Sequence, residues 1–326
     1  MRAAQIELTR HALIGAVLTF LANQDASTLR DVRETLEHEI DRAGPEAMLA
    51  LEAHLRADHG WTYHAPDLLA RRLHHVLADR FLMAGSELRG AQHVTTIADA
   101  PVVLVANHLS YADANVIQVL LHRGGAASLA HRLTALAGPK IFTSRQRRFS
   151  SLCFGTVKVP QSTDVASEEA VLSPREVARA ARQSIETALA RLRAGDALVL
   201  FGEGTRSRTG EMQPMLAATA RYFDGPDTWV LPAGLTGSEA LFPVDSSAVQ
   251  PARAVLHLGR PVRASALVAA ADRDRRLIMD AVGLAVAALV PMSYRGVYRE
   301  PSRFPEARSL ADAVGLVEPL GRAPRG

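Results

Sequence analysis

The amino-acid sequence predicts an α/β fold with a mixed, partly parallel sheet flanked by helices and preceded by a small N-terminal helical bundle. Two observations predict it. Apolar residues recur at helical intervals through the first 85 or so residues. After that point, short apolar runs alternate with amphipathic helical segments, which is the pattern of strands joined by crossover helices. We therefore expect a helical domain over residues 1–85 and an α/β domain over residues 86–326.

Three of the predicted N-terminal helices have clear boundaries. A helix with Ser27 or Thr28 as its cap carries a regular apolar stripe and ends at the Gly-Pro pair that begins at Gly44. A further helix should run from Pro45 to about Asp58. A last one should follow the next Pro-Asp pair, with its apolar residues on one side. The pattern is typical of a bundle of short helices.

Five strands are predicted in the second part of the chain. The helix between the second and third of them has the clearest start, with Ser173 as N-cap, Pro174 at the first position and Glu176 three residues after the cap. It should end at Arg193, before a glycine. The predicted strands are Val102 to Ala106, Thr156 to Val159, Ala197 to Phe201, Trp229 to Ala233 and Val255 to Leu258.

Composition limits the function classes. The net charge of +3 is too small to indicate a nucleic-acid or membrane partner, and we expect no nucleic acid. The single cysteine, Cys153, excludes an intrachain disulfide and favours a reducing cytoplasm. The apolar stretches 12–22 and 281–290 are too short to cross a bilayer. They fit core helices better than helices on a membrane surface.

A histidine and a carboxylate stand at the end of the first predicted strand. His108 follows the buried run, and Asp113 lies five residues later. That interval places two side chains off register on a helix, so a strand-to-helix turn is needed to join them. His74 and Asp79 repeat the interval inside a helical segment, where the side chains should diverge. Spacing alone thus favours a structural histidine at the end of a strand over a catalytic one.

A paired His108 and Asp113 would suit base catalysis. A carboxylate can fix the tautomer of a histidine that acts as a general base near neutral pH. No serine stands in a nucleophile-elbow context, and Cys153 lies in an apolar run without a base nearby. The pair would then activate the hydroxyl of a substrate for attack on an activated acyl group.

A second constellation follows the predicted strand that ends at Phe201. The next residues, Gly-Glu-Gly-Thr-Arg-Ser-Arg, place Glu203, Arg206 and Arg208 in a glycine-containing turn. Glycines allow backbone amides to approach an anion, and arginines add forked donors suited to phosphate. A solvated loop would explain the charges but not their position directly after a buried strand.

These two segments resemble the first and third sequence blocks of the glycerolipid acyltransferases, the superfamily of glycerol-3-phosphate and lysophosphatidic acid acyltransferases. Their order and separation match, and Trp229 to Leu235 resembles the fourth block. The resemblance implies transfer of a fatty acyl group from an acyl-coenzyme A or acyl carrier protein thioester. The acceptor would be a hydroxyl of a lysophosphatidate or glycerol 3-phosphate type molecule. No metal or organic cofactor is implied.

The resemblance also implies roles for individual residues. His108 would take the hydroxyl proton, and Asp113 would orient His108. Glu203 and Arg206 would hold the acceptor, with Arg206 on its phosphate and Arg208 as a weaker candidate for the same task. The intervening Gly204 and Thr205 would complete this substrate-binding loop.

The chain departs from the family pattern at two places. Gly202 stands where the family usually has proline, and Ser162 stands where the second block usually ends in an acceptor-binding arginine. Five basic residues are candidates for the missing charge: Lys140, Arg145, Arg147, Arg148 and Lys158. The sequence does not choose among them.

Two alternatives remain open. One is a lipid-binding or scaffold protein that keeps the fold without catalysis. The other is a metal-dependent hydrolase with His108 and Asp113 as ligands, for which His122 and His131 are the local additions, although their spacing is unconvincing. A lipid acceptor would require contact with a bilayer, so the expected location is cytoplasmic, either free or peripheral on the inner face of the cytoplasmic membrane.

Overall fold

The computed structural model describes residues 9–317 except 22, 58–59, 144, 161–172, 226 and 244–247, and it describes only the backbone of 145–146. Four α-helices lie in the N-terminal part of the described residues, and a short strand at Tyr63–His64 separates the third helix from the fourth. Asp25, not Ser27 or Thr28, caps the second helix, because its carboxylate precedes the helix and accepts from the backbone N–H groups of both residues. The helices are α1 (Arg10–Leu18), α2 (Ala26–Ala43), α3 (Pro45–Arg56) and α4 (Leu68–Phe81).

The described residues form one nine-stranded sheet. The strand order is β1-β5-β4-β6-β3-β7-β8-β2, and β9 pairs with β7. The strands are β1 (Tyr63–His64), β2 (Glu87–Arg89), β3 (Val102–Ala106), β4 (Leu133–Ala137), β5 (Gly155–Lys158), β6 (Ala197–Phe201), β7 (Trp229–Thr236), β8 (Val255–Leu258) and β9 (Val262–Arg263).

The sheet is mixed, which confirms the predicted fold class. β3, β4, β5, β6 and β7 form parallel pairs through the middle of the sheet, and β2 is parallel to β8. The pairs β1 with β5, β7 with β8 and β7 with β9 are antiparallel. All five predicted strands are present, and β7 extends three residues beyond its predicted end at Ala233.

Helices cover both faces of the sheet. β3 is buried along its whole length, and its side chains alternate between the two faces. The predicted capping box at Ser173 is confirmed by reciprocal hydrogen bonds with Glu176. The remaining helices are α5 (Asp113–Arg123), α6 (Ala127–His131), α7 (Arg145–Ser151), α8 (Pro174–Arg193), α9 (Ser238–Leu241), α10 (Ala264–Ala270), α11 (Arg275–Ala288) and α12 (Pro305–Val314).

The N-terminal helices pack directly against the sheet. Leu36 of α2 and Leu73 of α4 belong to the same buried cluster as Leu104 of β3, together with side chains of α5, α6 and α7. A second cluster on the opposite face is formed with α8, α10, α11 and α12. The division into domains at residues 85 and 86 stays a prediction. No helix in the described ranges has the length and apolar character needed to cross a membrane.

Candidate active site

Three neighbouring parallel strands end at one edge of the sheet and bring the two sequence motifs together. Ala106 of β3 is in register with Phe201 of β6 on one side and Ala233 of β7 on the other. The following residue, Asn107, is fully buried and exchanges two hydrogen bonds with the backbone of Leu235, at 2.9 and 2.8 Å. This amide side chain fixes the start of the His108 turn to β7.

The turn brings His108 and Asp113 together. The Nδ1 atom of His108 lies 2.8 Å from Oδ2 of Asp113, which is the first residue of α5. The same oxygen accepts from the backbone N–H groups of Leu109 and Ser110, at 2.6 and 3.0 Å. Its partner Oδ1 accepts from the hydroxyl of Ser238, at 2.6 Å. Asp113 is fully buried, so these donors compensate for the lost hydration of its carboxylate.

This geometry prepares His108 to accept a proton at Nε2. A carboxylate accepts only, so Nδ1 carries the proton toward Asp113 and Nε2 of the neutral ring is the acceptor. The side chain is 18% exposed, and the ring stacks on Phe201 with centroids 4.1 Å apart. The imidazole is therefore held on two sides and open to a substrate on a third.

Two other histidines, His74 and His54, show which features of this geometry are particular to His108. His74 and Asp79 have the same spacing but diverge as expected, since His74 contacts the backbone oxygen of Ala70 while Asp79 pairs with Arg123. His54 does meet a carboxylate, with Nδ1 3.0 Å from Oδ2 of Asp67. A His-Asp contact thus occurs twice among the described residues. The neighbouring groups distinguish the pair at His108.

Glu203 stabilises the loop around His108. Its two carboxylate oxygens accept from the backbone N–H groups of His108 and Gln213, at 2.9 and 2.6 Å. The backbone N–H of Ser207 donates in turn to the carbonyl oxygen of His108, at 2.8 Å. Burial raises the pKa of the Glu203 carboxyl to about 7, against the opposing effect of these amide donors. The carboxylate is oriented toward the protein backbone, not toward solvent.

Arg206 contacts Tyr111, a residue of the turn between His108 and Asp113. The guanidinium carbon of Arg206 lies 4.3 Å from the centroid of the Tyr111 ring, and Tyr111 belongs to the His108 turn. The Nη1 atom of Arg206 is buried without a hydrogen-bond partner among the described residues. The other predicted loop residues, Gly204, Thr205 and Arg208, are exposed. The loop therefore offers an arginine donor in contact with the His108 turn.

The candidate basic residues of the second block lie in different places. Lys158, at the end of β5, lies against Trp61 and Phe142, and β5 is three strands away from β3, roughly 14 Å. Lys140 is exposed. The side chain of Arg145 and the whole of Ser162 lie outside the described residues.

One residue near the site, Ser238, was not singled out from the sequence, and another, Arg147, was one of several basic candidates. Ser238 follows the fourth block and reaches Asp113 across 125 positions of chain. The only signal for it is its position at the end of a strand that neighbours β3. Arg147 of α7 lies with its guanidinium carbon 5.7 Å from the Tyr111 ring. Its place in a basic cluster is its only signal in the sequence.

The alternative metal site is not supported by the geometry. His122 and His131 pack beside each other, with ring centroids 5.4 Å apart, and His122 also contacts His75. In the part of the chain that the structure describes, no group of three His, Cys, Asp or Glu side chains is arranged to hold a metal ion. The pair at His108 instead contacts Ser238, Phe201 and backbone groups.

Comparison with known proteins gives a family match over part of the chain. Residues 85–236 match the family model described as Acyltransferase, a range that contains both motifs and Leu235. No curated protein matches the sequence. Among solved structures, the chain is similar to the crystal structure of the 1-acyl-sn-glycerophosphate (LPA) acyltransferase PlsC from Thermotoga maritima. That similarity has 15% identity and a TM-score of 0.44, and it covers 82% of this chain and 84% of that one. The chain therefore carries an acyltransferase domain over residues 85–236.

Proposed function

We propose that the protein transfers a fatty acyl group from a thioester of coenzyme A or acyl carrier protein to a hydroxyl of a phosphate-bearing glycerol or lysolipid. The observation that carries this proposal is the His108–Asp113 pair, 2.8 Å apart, within the residues that match the acyltransferase model. The acceptor belongs to the lysophosphatidate or glycerol 3-phosphate type. No organic cofactor takes part in this reaction scheme.

In this mechanism His108 acts as the general base. Its Nε2 takes the proton of the acceptor hydroxyl while the hydroxyl oxygen forms a bond to the thioester carbonyl carbon. The carbon–sulfur bond then breaks, and the thiolate leaves with the proton that His108 returns. Base catalysis of this kind contributes on the order of 100- to 10,000-fold to the rate. The buried Asp113 stabilises the imidazolium that forms between the two proton transfers.

The loop after β6 positions the acceptor. Arg206 donates to the phosphate of the acceptor, and this contact satisfies the buried Nη1 donor that has no partner among the described residues. Glu203 acts through the backbone, because both of its oxygens hold amides of the site. Gly204 and Thr205 lie at the exposed end of this loop, with Arg208 beyond them.

Contact with a bilayer surface would deliver a lipid acceptor. The exposed side chain of Leu216 lies against Gly204, and Tyr111, whose ring centroid lies 4.3 Å from the Arg206 guanidinium carbon, is 44% exposed. Apolar and aromatic groups beside arginines suit the interface between acyl chains and anionic headgroups. We therefore propose transient, peripheral contact through the face that carries the active site.

The test is an acyl-transfer assay with isotope-labelled donors. Purified protein is incubated with labelled acyl-coenzyme A or acyl carrier protein and with lysophosphatidate, glycerol 3-phosphate or monoacylglycerol, and products are separated by mass. We expect acylated product with at least one phosphate-bearing acceptor. Tight binding of donor or lysolipid with no product from any combination would contradict the proposal and favour a non-catalytic lipid-binding protein.

A further inference from the structure

We propose that Tyr294 is a positioning residue for the acyl transfer. Its hydroxyl holds the turn after β7, and its carbonyl oxygen holds the loop after β6. Both segments support the His108 turn, so a single residue links the two supports. The inference rests on the proposed function and adds to it a residue outside the range 85–236 that matches the acyltransferase model.

The hydroxyl of Tyr294 supports the turn after β7. It donates to Oε1 of Glu239, in the one-turn helix α9 that begins with Ser238. Burial, together with the bond to Glu239, raises the pKa of Tyr294 to about 12, so the hydroxyl keeps its proton at neutral pH. The preceding residue, Ser238, donates to Oδ1 of Asp113. Tyr294 therefore holds the neighbour of the residue that bonds to Asp113.

Glu239 depends on this hydroxyl. Its other oxygen, Oε2, is buried and has no hydrogen-bond partner among the described residues. A buried carboxylate is costly unless donors compensate for its lost hydration. Without the hydroxyl of Tyr294, the Glu239 carboxylate regains donors only by moving toward solvent. That movement displaces α9 and, with it, the hydroxyl of Ser238.

The backbone of the same residue supports the loop after β6. The N–H of Met212 donates to the carbonyl oxygen of Tyr294 at 2.8 Å. The next residue, Gln213, donates its backbone N–H to Oε2 of Glu203 at 2.6 Å, and Oε1 of Glu203 accepts from the backbone N–H of His108. Tyr294 therefore holds the loop one residue before its contact with Glu203.

A glycine allows the chain to come this close to the loop. Gly296 has a φ of +50°, and a Cβ at this position would overlap the carbonyl oxygen of Met212. The N–H of Val297 donates to that oxygen at 3.2 Å. The hydroxyl of Tyr298 also accepts from the backbone N–H of Met215 at 2.9 Å. The segment around Tyr294 therefore contacts the loop at two points.

The first test combines Tyr294→Phe with Ser238→Ala in a double-mutant cycle on kcat. We expect Tyr294→Phe to lower kcat about three- to fivefold and to change the KM values for donor and acceptor less than about twofold, because the residue touches neither substrate. If Tyr294 acts through Ser238, the double variant keeps about the kcat of Ser238→Ala alone. Tyr222→Phe is the matched control, since Tyr222 is buried in the same hydrophobic cluster and burial raises its pKa to about 12 as well.

Each outcome of the cycle decides the inference. Independent effects multiply, so a loss of about 15- to 25-fold in the double variant would overturn it. A kcat for Tyr294→Phe no lower than that of Tyr222→Phe, or a change confined to KM, would also overturn it. Failure of the wild-type protein to acylate any acceptor would instead overturn the proposed function, and this inference with it. Urea unfolding of each variant separates these results from a loss of folded protein.

The second test compares Gly296→Ala with Gly315→Ala. Both glycines have a positive φ, but a Cβ at Gly315 would meet its nearest atom only at 4.0 Å. Both variants therefore carry backbone strain, and only Gly296→Ala displaces the segment from Met212. We expect Gly296→Ala to lower kcat at least about fivefold relative to Gly315→Ala. Equal kcat values in the two variants would overturn the role of the segment in holding the loop.

Discussion

Ser238→Ala tests whether the hydrogen bond from Ser238, a residue far along the chain, stabilises the carboxylate of Asp113. The Ser238 hydroxyl donates to Oδ1 of Asp113 at 2.6 Å, and both residues are fully buried. Alanine removes this donor and leaves a buried carboxylate oxygen without it. The backbone amides of Leu109 and Ser110 and the ring of His108 all contact the other oxygen, so they cannot replace the lost bond.

The expected magnitude follows from the charge of the acceptor. A hydrogen bond to a charged group contributes about 1.5–3 kcal/mol, whereas a bond between neutral groups contributes about 0.5–1.5 kcal/mol. Ser184 supplies a matched comparison, because it is equally buried but donates to the backbone oxygens of Ala180 and Lys158. We expect Ser238→Ala to lower the free energy of unfolding by about 2 kcal/mol and Ser184→Ala by about 1 kcal/mol.

Activity should separate the two variants further. If half of the energy lost at Ser238 is felt when His108 becomes charged, kcat falls about fivefold, while Ser184→Ala leaves kcat unchanged. The measurements are urea unfolding and steady-state acyl transfer on both variants. An equal loss of stability in the two variants, with no change in kcat for Ser238→Ala, would refute the reasoning about Asp113.

Two further variants test other contacts. Burial raises the pKa of Glu203 to about 7, so the folded protein favours the protonated carboxyl. The stabilisation from this protonated form is complete below pH 4.5 and is lost as pH rises through 7. The unfolding free energy of wild type minus that of Glu203→Gln should therefore fall by about 2 kcal/mol between pH 5 and pH 8, and a difference independent of pH would refute this. Gly202→Ala should cost about 1–3 kcal/mol, because its Cβ would lie 2.3 Å from the buried Met215 sulfur. The additional Met215→Ala should then cost less than Met215→Ala alone, and strictly additive unfolding free energies would contradict that close contact.

The sequence predicted the elements whose signals are local. The helix from Pro174 to Arg193 carries its own capping box, and β3 and β6 are continuous apolar runs. The strand Leu133–Ala137 was missed because its residues, Leu-Thr-Ala-Leu-Ala, include only one that is β-branched. Its pairing with β5 and β6 depends on the assembled sheet.

Only the residues of the site that lie within the two sequence motifs could be predicted as parts of it. The strand-to-helix context of His108 correctly separated it from His74, whose partner on the same helix diverges. The contact between Ser238 and Asp113 spans 125 positions and comes from the pairing of β7 with β3. The contact between Arg147 and Tyr111 depends on how α7 packs beside α5. Long-range packing of this kind leaves no periodic signal in a single sequence.

The most direct test of the proposed chemistry compares His108→Ala with His54→Ala. Both histidines contact a buried aspartate, with Nδ1 at 2.8 Å from Asp113 and 3.0 Å from Asp67, but only His108 lies beside Arg206 and the Glu203 loop. Acyl transfer is measured with saturating donor and a phosphate-bearing acceptor. The proposal predicts a loss of about 100- to 10,000-fold in kcat for His108→Ala and less than threefold for His54→Ala. Equal rates in wild type and His108→Ala would contradict it.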